Sequence, residues 1–360
     1  YKRQGFEGFH YAGPDEIFAE HAALSAYRND GTRGFDIGGL RELDTLAYDS
    51  LEPVQWPRTN GSPSTRLFSD GRFFHTDGRA RLLPIVPRPP IDALDPSYPL
   101  TLNTGRVRDH WHTMTRTGRS PRLSGHIKEP CVTMHPIDAA GSGLTAGALA
   151  QLSSAHGEVV VRVETHDGMR RGDVFVPMHW NDQFAAKGNV GALIAPNVDP
   201  VSGQPQFKHT AVRVEPFQAA WYGFLLTRHE ATDLPTGYWS KAKRRGLWHY
   251  ELAGLQEPDS WADLGRSLLA TAPGQYDWRE LHDSAQANYR LACLVENRLE
   301  GVLIVQPSPK LPPRDWLAEL FGKDALDPAE RSRVLRGTPP SGQFDAGRTV
   351  CSCFSVGINT

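Results

Sequence analysis

The sequence predicts an α+β protein in which a β-barrel with flanking helices precedes a small α+β accessory unit. Short apolar runs alternate with polar residues between residues 98 and 217, and turn dipeptides such as Asp167-Gly168 separate them. A stretch of small residues with helical character interrupts these runs, as a crossover would. The 34 glycines and 28 prolines are spread along the chain, which is typical of a loop-rich, largely β globular protein.

Length and charge restrict the possible classes of function. A chain of 360 residues is long enough for two or three domains of ordinary size. The formal net charge is -2 at pH 7 and the isoelectric point is about 6.7, so no overall field would attract nucleic acid or an anionic membrane. No window approaches the roughly 18 consecutive apolar residues of a membrane span. We therefore expect no nucleic-acid partner and no membrane contact, and we interpret the chain, which begins at Tyr1, as a soluble piece of a longer protein.

Cysteine usage favours the reducing cytoplasm. Four cysteines in a chain of this size do not form a disulfide framework. Cys131 and Cys293 are isolated, and we interpret both as ordinary buried thiols. Cys351 and Cys353 form a C-x-C pair near the end of the chain.

The first 99 residues predict one helix, one region of hairpins and a linker. Residues 14–31 have apolar residues at helical spacing, a Pro-Asp start and an Asn-Asp-Gly stop, which indicates an amphipathic helix. Residues 65–85 alternate around Asp70-Gly71 and Asp77-Gly78, which predicts strands joined by tight turns. Five prolines in residues 86–99 exclude regular hydrogen-bonded structure and indicate a linker.

The barrel region begins at residue 98 with a short strand that ends in a glycine turn. Residues 135–152 are expected to be helical, and residues 157–178 form two strands around Asp167-Gly168. Two further apolar segments, "VGALIAP" and "HTAVRVEPF", complete the region near Phe217.

The accessory unit is clearest in its second half. Residues 247–255 predict a strand and residues 259–272 a helix, whereas the rest of 218–275 shows no clear pattern. Residues 287–309 predict two strands around the turn at 296–298. The helical segment "PRDWLAELFGK" places four apolar side chains on one face: Trp316, Leu317, Leu320 and Phe321. Residues 336–348 then have the composition of a flexible linker.

The segment 103–118, "NTGRVRDHWHTMTRTG", concentrates hydrogen-bond donors between two glycines. Gly105 would allow a ligand to approach the backbone closely, Arg106 can fork onto a phosphate, and Trp111 offers a flat surface with an indole donor. This combination suits a large anionic ligand, although composition alone favours a solvated surface loop about two to one. His110 and His112 could face a zinc ion together, but no third ligand follows at a familiar interval. The chain also has no G-x-G-x-x-G after a strand and no Walker loop, which argues against a nicotinamide or nucleotide-hydrolase fold.

Four motifs in order carry a family resemblance: "LNTGRVRDHWHTMTRTG", "HPIDAAGSGL", "RRGDVFVPMHWNDQF" and "DPVSGQPQFKHTAVRV". Together they resemble the molybdopterin dinucleotide-binding domain of the molybdopterin oxidoreductases, and most closely that of the assimilatory nitrate reductases. The resemblance implies a double-psi β-barrel at residues 98–217. It also implies that residues 1–90 are the end of the catalytic region, that residues 218–335 are the accessory α+β region, and that residues 348–360 begin a truncated [2Fe-2S] domain of the bacterioferritin-associated-ferredoxin type.

The resemblance implies a Mo-bis(molybdopterin guanine dinucleotide) cofactor and assigns its contacts, but no catalytic residue. In this chain the contacts fall on Thr104, Gly105, Arg106, Val107, Trp111, His112, Thr113, Asn189 and Lys208. Met178 stands where some relatives place a phenylalanine toward the substrate channel, so no substrate contact is assigned there. The family's molybdenum-ligating cysteine and its [4Fe-4S] cysteines lie upstream of these residues.

The C-x-C pair resembles the first half of a four-cysteine [2Fe-2S] site. Cys351 and Cys353 would be two of its ligands, and the second pair would follow about 30 residues later. The basic run at 241–246, "KAKRRG", is most simply a solvated face. The alternative is a docking patch for an acidic electron donor.

The resemblance therefore implies part of a cytoplasmic enzyme that reduces nitrate to nitrite and is inactive as this fragment alone. Its electrons would come from ferredoxin, flavodoxin or an NADH-dependent reductase subunit. A formate dehydrogenase, or another molybdopterin oxidoreductase, is the nearest alternative because it shares the cofactor. A non-catalytic module for cofactor binding or electron transfer is the alternative from a different class.

Overall fold

The computed structural model describes residues 2–59, 66–84, 86–200, 202–232, 234, 236–270, 274–340, 349–351, 354 and 356–359. The chain divides into two compact units, Tyr1–Arg88 and Pro89–Thr360. No helix within these described ranges is long and apolar enough to cross a membrane.

In its described residues the first unit contains two α-helices, α1 (Pro14–Ala26) and α2 (Thr45–Asp49). Pro14 occupies the first turn of α1, where its missing N–H costs nothing, and the Asp44 carboxylate caps α2 by accepting the Ala47 N–H at 2.8 Å. A helix is confirmed at the predicted start, but it ends at Ala26, before the predicted Asn-Asp-Gly stop. Its apolar face is only partly covered, since Ala22 is buried but Leu24 is 61% exposed.

The predicted hairpins of residues 65–85 are wrong. The described residues 66–84 form turns and irregular structure without a strand. The carboxylates of Asp70 and Asp77 each accept the backbone N–H two residues later, from Arg72 and Arg79. Such local Asx turns satisfy the backbone in place of a strand partner.

The second unit begins with a closed six-stranded barrel, which confirms the predicted fold class. Its strands are β1 (Leu100–Gly105), β2 (Cys131–Met134), β3 (Leu149–Ser153), β4 (Glu158–Thr165), β5 (Asp173–Pro177) and β6 (Thr210–Pro216). Their order around the barrel is β1-β5-β2-β4-β3-β6. The β1/β5 and β2/β4 pairs are parallel and the others antiparallel. Inward-facing aliphatic side chains such as Leu102, Val161 and Val174 fill the interior.

The helical prediction for residues 135–152 is only partly correct. Helix α3 covers Pro136–Gly141, and the rest of the segment turns into β3. Gly143, two residues after the helix, takes a φ of 70° and ends it. Gly147, with a φ of 85°, lies in the turn that leads into β3. The segment "VGALIAP" likewise forms one 3-10 turn, Val190–Leu193.

An antiparallel sheet of six strands follows the barrel, in the order β10-β11-β12-β7-β9-β8. The strands are β7 (Trp221–Thr227), β8 (Tyr238–Arg244), β9 (Leu247–Gly254), β10 (Tyr276–Asp283), β11 (Asn288–Val295) and β12 (Arg298–Gln306). Helix α4 (Trp261–Leu269) lies between β9 and β10 in the chain, and α5 (Asp315–Leu320) and α6 (Pro328–Arg333) follow β12. The strand and helix predicted at 247–272 and the hairpin at 287–309 are confirmed, whereas β7, β8 and β10 were not predicted. A short ladder of β13 (Thr349–Cys351) and β14 (Val356–Gly357) comes last.

Main-chain hydrogen bonds join the barrel to the sheet. Residues 184–186, which follow β5, run beside the outer strand β8. Ala186 N donates to Trp239 O and Lys241 N donates to Phe184 O, both at 2.8 Å. The segment after β5 is therefore held by the accessory sheet.

A buried ionic cluster lies at the same junction. Glu129 and Arg162 of the barrel pair at 2.9 Å, and Glu251 of β9 pairs with Arg314 at 2.5 Å. Arg162 also lies 3.9 Å from Glu251, so the two pairs form one cluster. Arg162 is mostly buried and Glu251 almost fully so, which makes each charge dependent on its partners.

Candidate cofactor-binding site

The geometry of the site follows from the parallel pairing of β1 and β5. Gly105 pairs with Pro177 at the end of the ladder, so the chain leaves both strands at the same end of the barrel. Met178 N donates to Gly105 O at 2.9 Å immediately beyond this pair. The donor-rich loop, residues 106–118, and the segment 178–186 therefore lie side by side.

Lys208 and Thr104 join the residues before β6 to the end of β1. The ammonium group of Lys208 donates to the backbone carbonyl of Thr104. The Thr104 hydroxyl, which is buried, donates in turn to the Phe207 carbonyl at 2.8 Å. These bonds place an exposed cation against the first turn of the loop, although Lys208 lies about 100 residues later in the chain.

Gly105 lies in close contact with a ring. A Cβ added at this position would lie 2.8 Å from Cε2 of Phe175 and 3.8 Å from Nζ of Lys208. Because Gly105 has no side chain, the Phe175 ring and the Lys208 ammonium group can lie close to the backbone at the exit of β1.

His179 holds the two sides of the loop together. Val107 N–H donates to its Nε2 at 2.9 Å, and its Nδ1 lies 2.5 Å from His112 O. A backbone N–H can only donate and a carbonyl can only accept, so these partners require the neutral ring with the proton on Nδ1. His179 is fully buried, and this burial lowers its pKa below the ordinary histidine value, with Arg106 acting in the same direction.

The inner side of the loop packs on the segment 178–186. His110 is buried, its ring lies edge-on to Trp180 at 5.4 Å, and its Nδ1 lies 3.2 Å from the Thr117 hydroxyl. Burial lowers the pKa of His110, and neighbouring His179 lowers it further. Met114 is buried at a φ of 62° and contributes with Trp180 to a small apolar cluster.

Gly118 closes the loop against a second ring. A Cβ added there would lie 2.3 Å from Cζ of Phe184, so this position admits no side chain while the ring stays in place. Phe184 belongs to the segment held by β8. The accessory sheet therefore supports the far end of the loop.

The outer side of the loop presents the predicted donors. Arg106, His112 and Thr113 are exposed, and Trp111 is 48% exposed with its ring perpendicular to that of His112. Together with Lys208 they form a surface with two cations, a hydroxyl and an indole. This donor set fits an anionic dinucleotide, since pyrophosphate oxygens need cations and N–H or O–H donors.

The structure brings most of the sequence-predicted residues together, but Asn189 stands apart. Its side chain accepts the Gly191 N–H at 3.1 Å and so caps the 3-10 turn that follows. Within the described ranges, no hydrogen bond joins Asn189 to residues 104–113. Sequence reasoning missed His179 and Phe184, although "VPMHW" contained the signal of a buried histidine next to a tryptophan.

The cysteines divide into buried and accessible groups. Cys131 and Cys293 are fully buried free thiols, as expected. Cys351 is a partly exposed free thiol in β13, whereas Cys353 lies outside the described residues. Across the residues that the structure describes, no group of three or more His, Cys, Asp or Glu side chains is arranged to hold a metal ion.

Most charges of the basic run at 241–246 have partners within the chain. The run forms the end of β8 and the turn after it, where Lys241 pairs with Glu230 at 2.6 Å and Arg244 with Asp315 at 2.8 Å. Lys243 lies over the Trp248 ring at 4.6 Å. These charges are paired or held against a ring, which leaves Arg245 as the exposed cation of the run.

The barrel and its loop define a class of cofactor-binding domain. Residues 100–211 match the molydopterin dinucleotide binding domain family. These residues span all six strands from β1 into β6 and include both the donor-rich loop and Lys208. The second unit thus contains a molybdopterin dinucleotide-binding domain, as the resemblance implied.

The chain as a whole is similar to part of the nitrate reductases. It is 40% identical over 350 residues to a nitrate reductase of Klebsiella oxytoca, a match that covers 97% of this chain and 39% of that protein. It is 34% identical over 254 residues to a nitrate reductase of Shewanella frigidimarina (strain NCIMB 400), covering 63% of this chain and 27% of that one. It is 33% identical over 215 residues to the assimilatory nitrate reductase catalytic subunit of Bacillus subtilis (strain 168), covering 58% and 28%.

The chain thus spans between 27% and 39% of the length of these relatives. A solved structure, acetylene hydratase from Pelobacter acetylenicus, aligns with 33% of this chain and 18% of its own at a TM-score of 0.31 and 18% identity. The sequence resemblance to a nitrate reductase portion of the molybdopterin oxidoreductases is confirmed by the sequence matches.

Proposed function

We propose that this chain is part of a molybdenum enzyme that reduces nitrate to nitrite for assimilation, and that residues 104–113 with Lys208 bind its molybdopterin guanine dinucleotide. The observation that carries the proposal is the bond from the Lys208 ammonium group to the Thr104 carbonyl at the base of the loop. It places a cation beside Gly105 and Arg106, where a pyrophosphate would meet backbone amides and a guanidinium. The similarity of 97% of the chain to a nitrate reductase supports the reaction.

The molybdenum cofactor, when bound, supplies the two-electron chemistry, and the protein binds and orients it. Arg106 and Lys208 would neutralise phosphate charge. Trp111 would offer its ring and indole N–H, and Thr113 its exposed hydroxyl. The buried Thr104 hydroxyl is bonded to the Phe207 carbonyl and would act by holding the segment that carries Lys208. Asn189, by contrast, would have to give up its turn contact with Gly191 to reach the ligand.

The proposal also covers the domains and the route of the electrons. Residues 1–90 would complete the catalytic region, residues 98–217 bind the dinucleotide, and residues 218–335 form the accessory region. Residues 348–360 would begin a [2Fe-2S] domain with Cys351 and Cys353 as two ligands, and a [4Fe-4S] cluster would belong to the preceding part of the enzyme. We place the enzyme in the cytoplasm, with ferredoxin, flavodoxin or an NADH-dependent subunit as electron donor.

The test of cofactor binding compares variants of the intact polypeptide purified from the same host. We expect Arg106→Ala and Lys208→Met each to lower molybdenum and acid-released GMP per mole of protein by about tenfold, the equivalent of roughly 1.4 kcal/mol, while the secondary structure is retained. Arg116→Ala, an exposed arginine of the same loop outside the assigned contacts, is the matched control and should keep the wild-type content. Normal GMP content in both test variants would contradict the assignment.

The substrate is tested separately because the loop serves a cofactor that different enzymes share. Reduced viologen oxidation with nitrate should proceed on the intact enzyme, whereas formate-dependent dye reduction should not. The opposite result would assign a formate dehydrogenase that uses the same dinucleotide site. Full GMP content with neither activity would instead indicate a non-catalytic cofactor-binding module.

A further inference from the structure

A fully buried histidine lies beneath the donor-rich loop and contacts two of its backbone groups. His179 follows β5 by two residues, and the parallel β1/β5 pair brings it under the loop that follows β1. Its two ring nitrogens contact Val107 N and His112 O, which are five residues apart in the loop. It touches backbone groups there, and its side chain has no exposed surface from which to contact a ligand.

We propose that His179 is a positioning residue that fixes the loop at residues 107–112 in the shape that binds the dinucleotide, and this inference rests on the proposed function of the loop. Two observations support it independently of any ligand. His112 and Met114 adopt φ values of 41° and 62°, a conformation that costs free energy in residues with a side chain and persists where neighbours impose it. The bond at the His112 carbonyl lies at the first of these residues, where such a constraint would act.

The rest of segment 178–186 reinforces the same shape. Asn181 Nδ2 donates to the Thr113 carbonyl at 3.4 Å, and the Trp180 ring lies against His110. Segment 184–186 is in turn hydrogen-bonded to the outer strand of the accessory sheet. The loop is thus shaped by a part of the chain about 70 residues later, and His179 supplies the central contact.

The two contacts also set the required protonation state. A doubly protonated ring would present an N–H to the Val107 N–H, and this hydrogen bond would be lost. Among the described residues, the charged and titratable side chains that face His179 are Arg106, His110 and His112, and a positive charge on each would disfavour a second proton on the ring. Burial acts in the same direction. The hydrogen bond to the His112 carbonyl acts in the opposite direction on the pKa of His179.

The test separates the two nitrogens with three substitutions. His179→Phe removes both contacts, His179→Gln can return an acceptor near the Nε2 position, and His179→Asn can return a donor near the Nδ1 position. Hydrogen exchange at the Val107 amide is measured in the intact polypeptide. Exchange should rise by about tenfold or more in His179→Phe, because a buried bond is lost, and His179→Gln should reverse most of this rise. His179→Asn should leave Val107 exchange fast.

The control is His166, another histidine whose ring accepts a backbone N–H, from Gly168 at 3.0 Å, in an exposed turn between β4 and β5. His166→Phe should leave the exchange at Val107 and the GMP content unchanged. Unchanged exchange at Val107 in His179→Phe would overturn the positioning role, whatever the GMP content. If His179→Phe does not fold, the order of the other two variants decides, and protection in His179→Asn without protection in His179→Gln would contradict the proposal.

The experiments distinguish failure of the positioning role of His179 from failure of the proposed function. Fast Val107 exchange with lowered GMP content in His179→Phe supports the inference. Fast exchange with wild-type GMP content shows that the loop needs no such positioning to bind the dinucleotide, and it overturns the inference while leaving the proposed function intact. Wild-type GMP content in both Arg106→Ala and Lys208→Met removes the proposed function itself, and the inference that rests on it.

Discussion

Lys208 donates a hydrogen bond from its ammonium group to the backbone carbonyl of Thr104, and the Thr104 hydroxyl donates to the carbonyl of Phe207, the residue before Lys208. Each segment thus supplies a donor and an acceptor to the other. The position of the cation depends on a buried hydroxyl as well as on the lysine itself. This reciprocal contact leads to the first prediction.

Thr104→Val should destabilise the protein by about 1–2 kcal/mol, because the valine leaves the Phe207 carbonyl without its donor. Denaturant unfolding measures the change. Thr101→Val, in the same strand and partly exposed, is the control and should change stability less. The substitution at Thr104 should also lower GMP content, since Lys208 loses its neighbour's support. An equal effect of Thr104→Val and Thr101→Val on stability would show that the hydrogen bond from the Thr104 hydroxyl to the Phe207 carbonyl does not stabilise the fold.

Gly118→Ala should destabilise the barrel by about 1–3 kcal/mol, the range for an overpacked core. The added methyl group would lie 2.3 Å from Cζ and 2.7 Å from Cε1 of Phe184, which is almost fully buried. Phe184→Leu removes these atoms and alone should cost stability by leaving a cavity. In the double variant the losses should be smaller than their sum, because the two changes compensate. Additive losses, measured by chemical denaturation, would rule out the contact.

Glu251→Gln should cost about 3 kcal/mol, because it removes the negative charge that Arg314 and Arg162 share in a buried site. Glu215→Gln is the control. Glu215 pairs with Arg213 at 3.5 Å, but its side chain is 56% exposed, so its loss should change stability by less than about 1 kcal/mol. Similar effects of the two substitutions on the free energy of unfolding would contradict a buried role for Glu251.

Stability should fall as the pH is lowered from about 7 to 5. Burial lowers the pKa of His110, His179 and His249, whereas in the unfolded chain each returns to about 6.5. Below that value the unfolded chain binds more protons than the folded protein, and so the free energy of unfolding decreases. A thermal-unfolding series across this range measures the slope.

His249→Gln separates one contribution from the others. His249 lies 2.8 Å from Glu251 and is buried, so the variant should show a shallower decline over the same pH interval. A decline of the same steepness would place the linked protons elsewhere.

The thiols should differ in reactivity under native conditions. Burial raises the pKa of Cys131 and raises that of Cys293 to about 12, which keeps both protonated and weakly nucleophilic at neutral pH. Cys351 is partly exposed. In the protein without a bound cluster, we expect an aromatic disulfide reagent to modify Cys351 within minutes and the two buried thiols only after denaturation. Rapid labelling of Cys131 in the native protein, identified by mass spectrometry, would contradict the described burial.

The sequence predicted strands best where the turn chemistry is explicit. The hairpin of β11 and β12 has positive φ values at Glu296 and Asn297, which the turn between two alternating runs requires. Strand β7 was missed. Six of its seven residues are buried, so it shows no alternation of period two, and periodicity alone does not separate such an apolar run from a buried helix. Strand β8 was missed because "KAKRR" has the composition of a solvated run, and its partners Glu230 and Asp315 lie elsewhere in the chain.

The candidate site likewise contains residues that the sequence could predict and residues that it could not. The exposed donors from Arg106 to Thr113 are adjacent in the sequence and could be identified from composition and motif. The residues that shape them could not, because His179 reaches the loop through the parallel β1/β5 pairing and Phe184 reaches Gly118 through a packing contact. Local sequence carries no record of which segment a closed barrel places underneath another.

The strand pairing that closes the barrel also positions Lys208. β6 completes the cylinder by pairing with β1 through Leu100↔Val212, Thr101↔Ala211 and Leu102↔Thr210. Lys208 precedes β6 by two residues, so the pairing of β6 with β1 brings its ammonium group to the Thr104 carbonyl. In a chain whose barrel is still open, Lys208 would lie apart from Arg106, the other cation proposed to bind phosphate. Under the proposed function, the dinucleotide would therefore be inserted only after the barrel has closed.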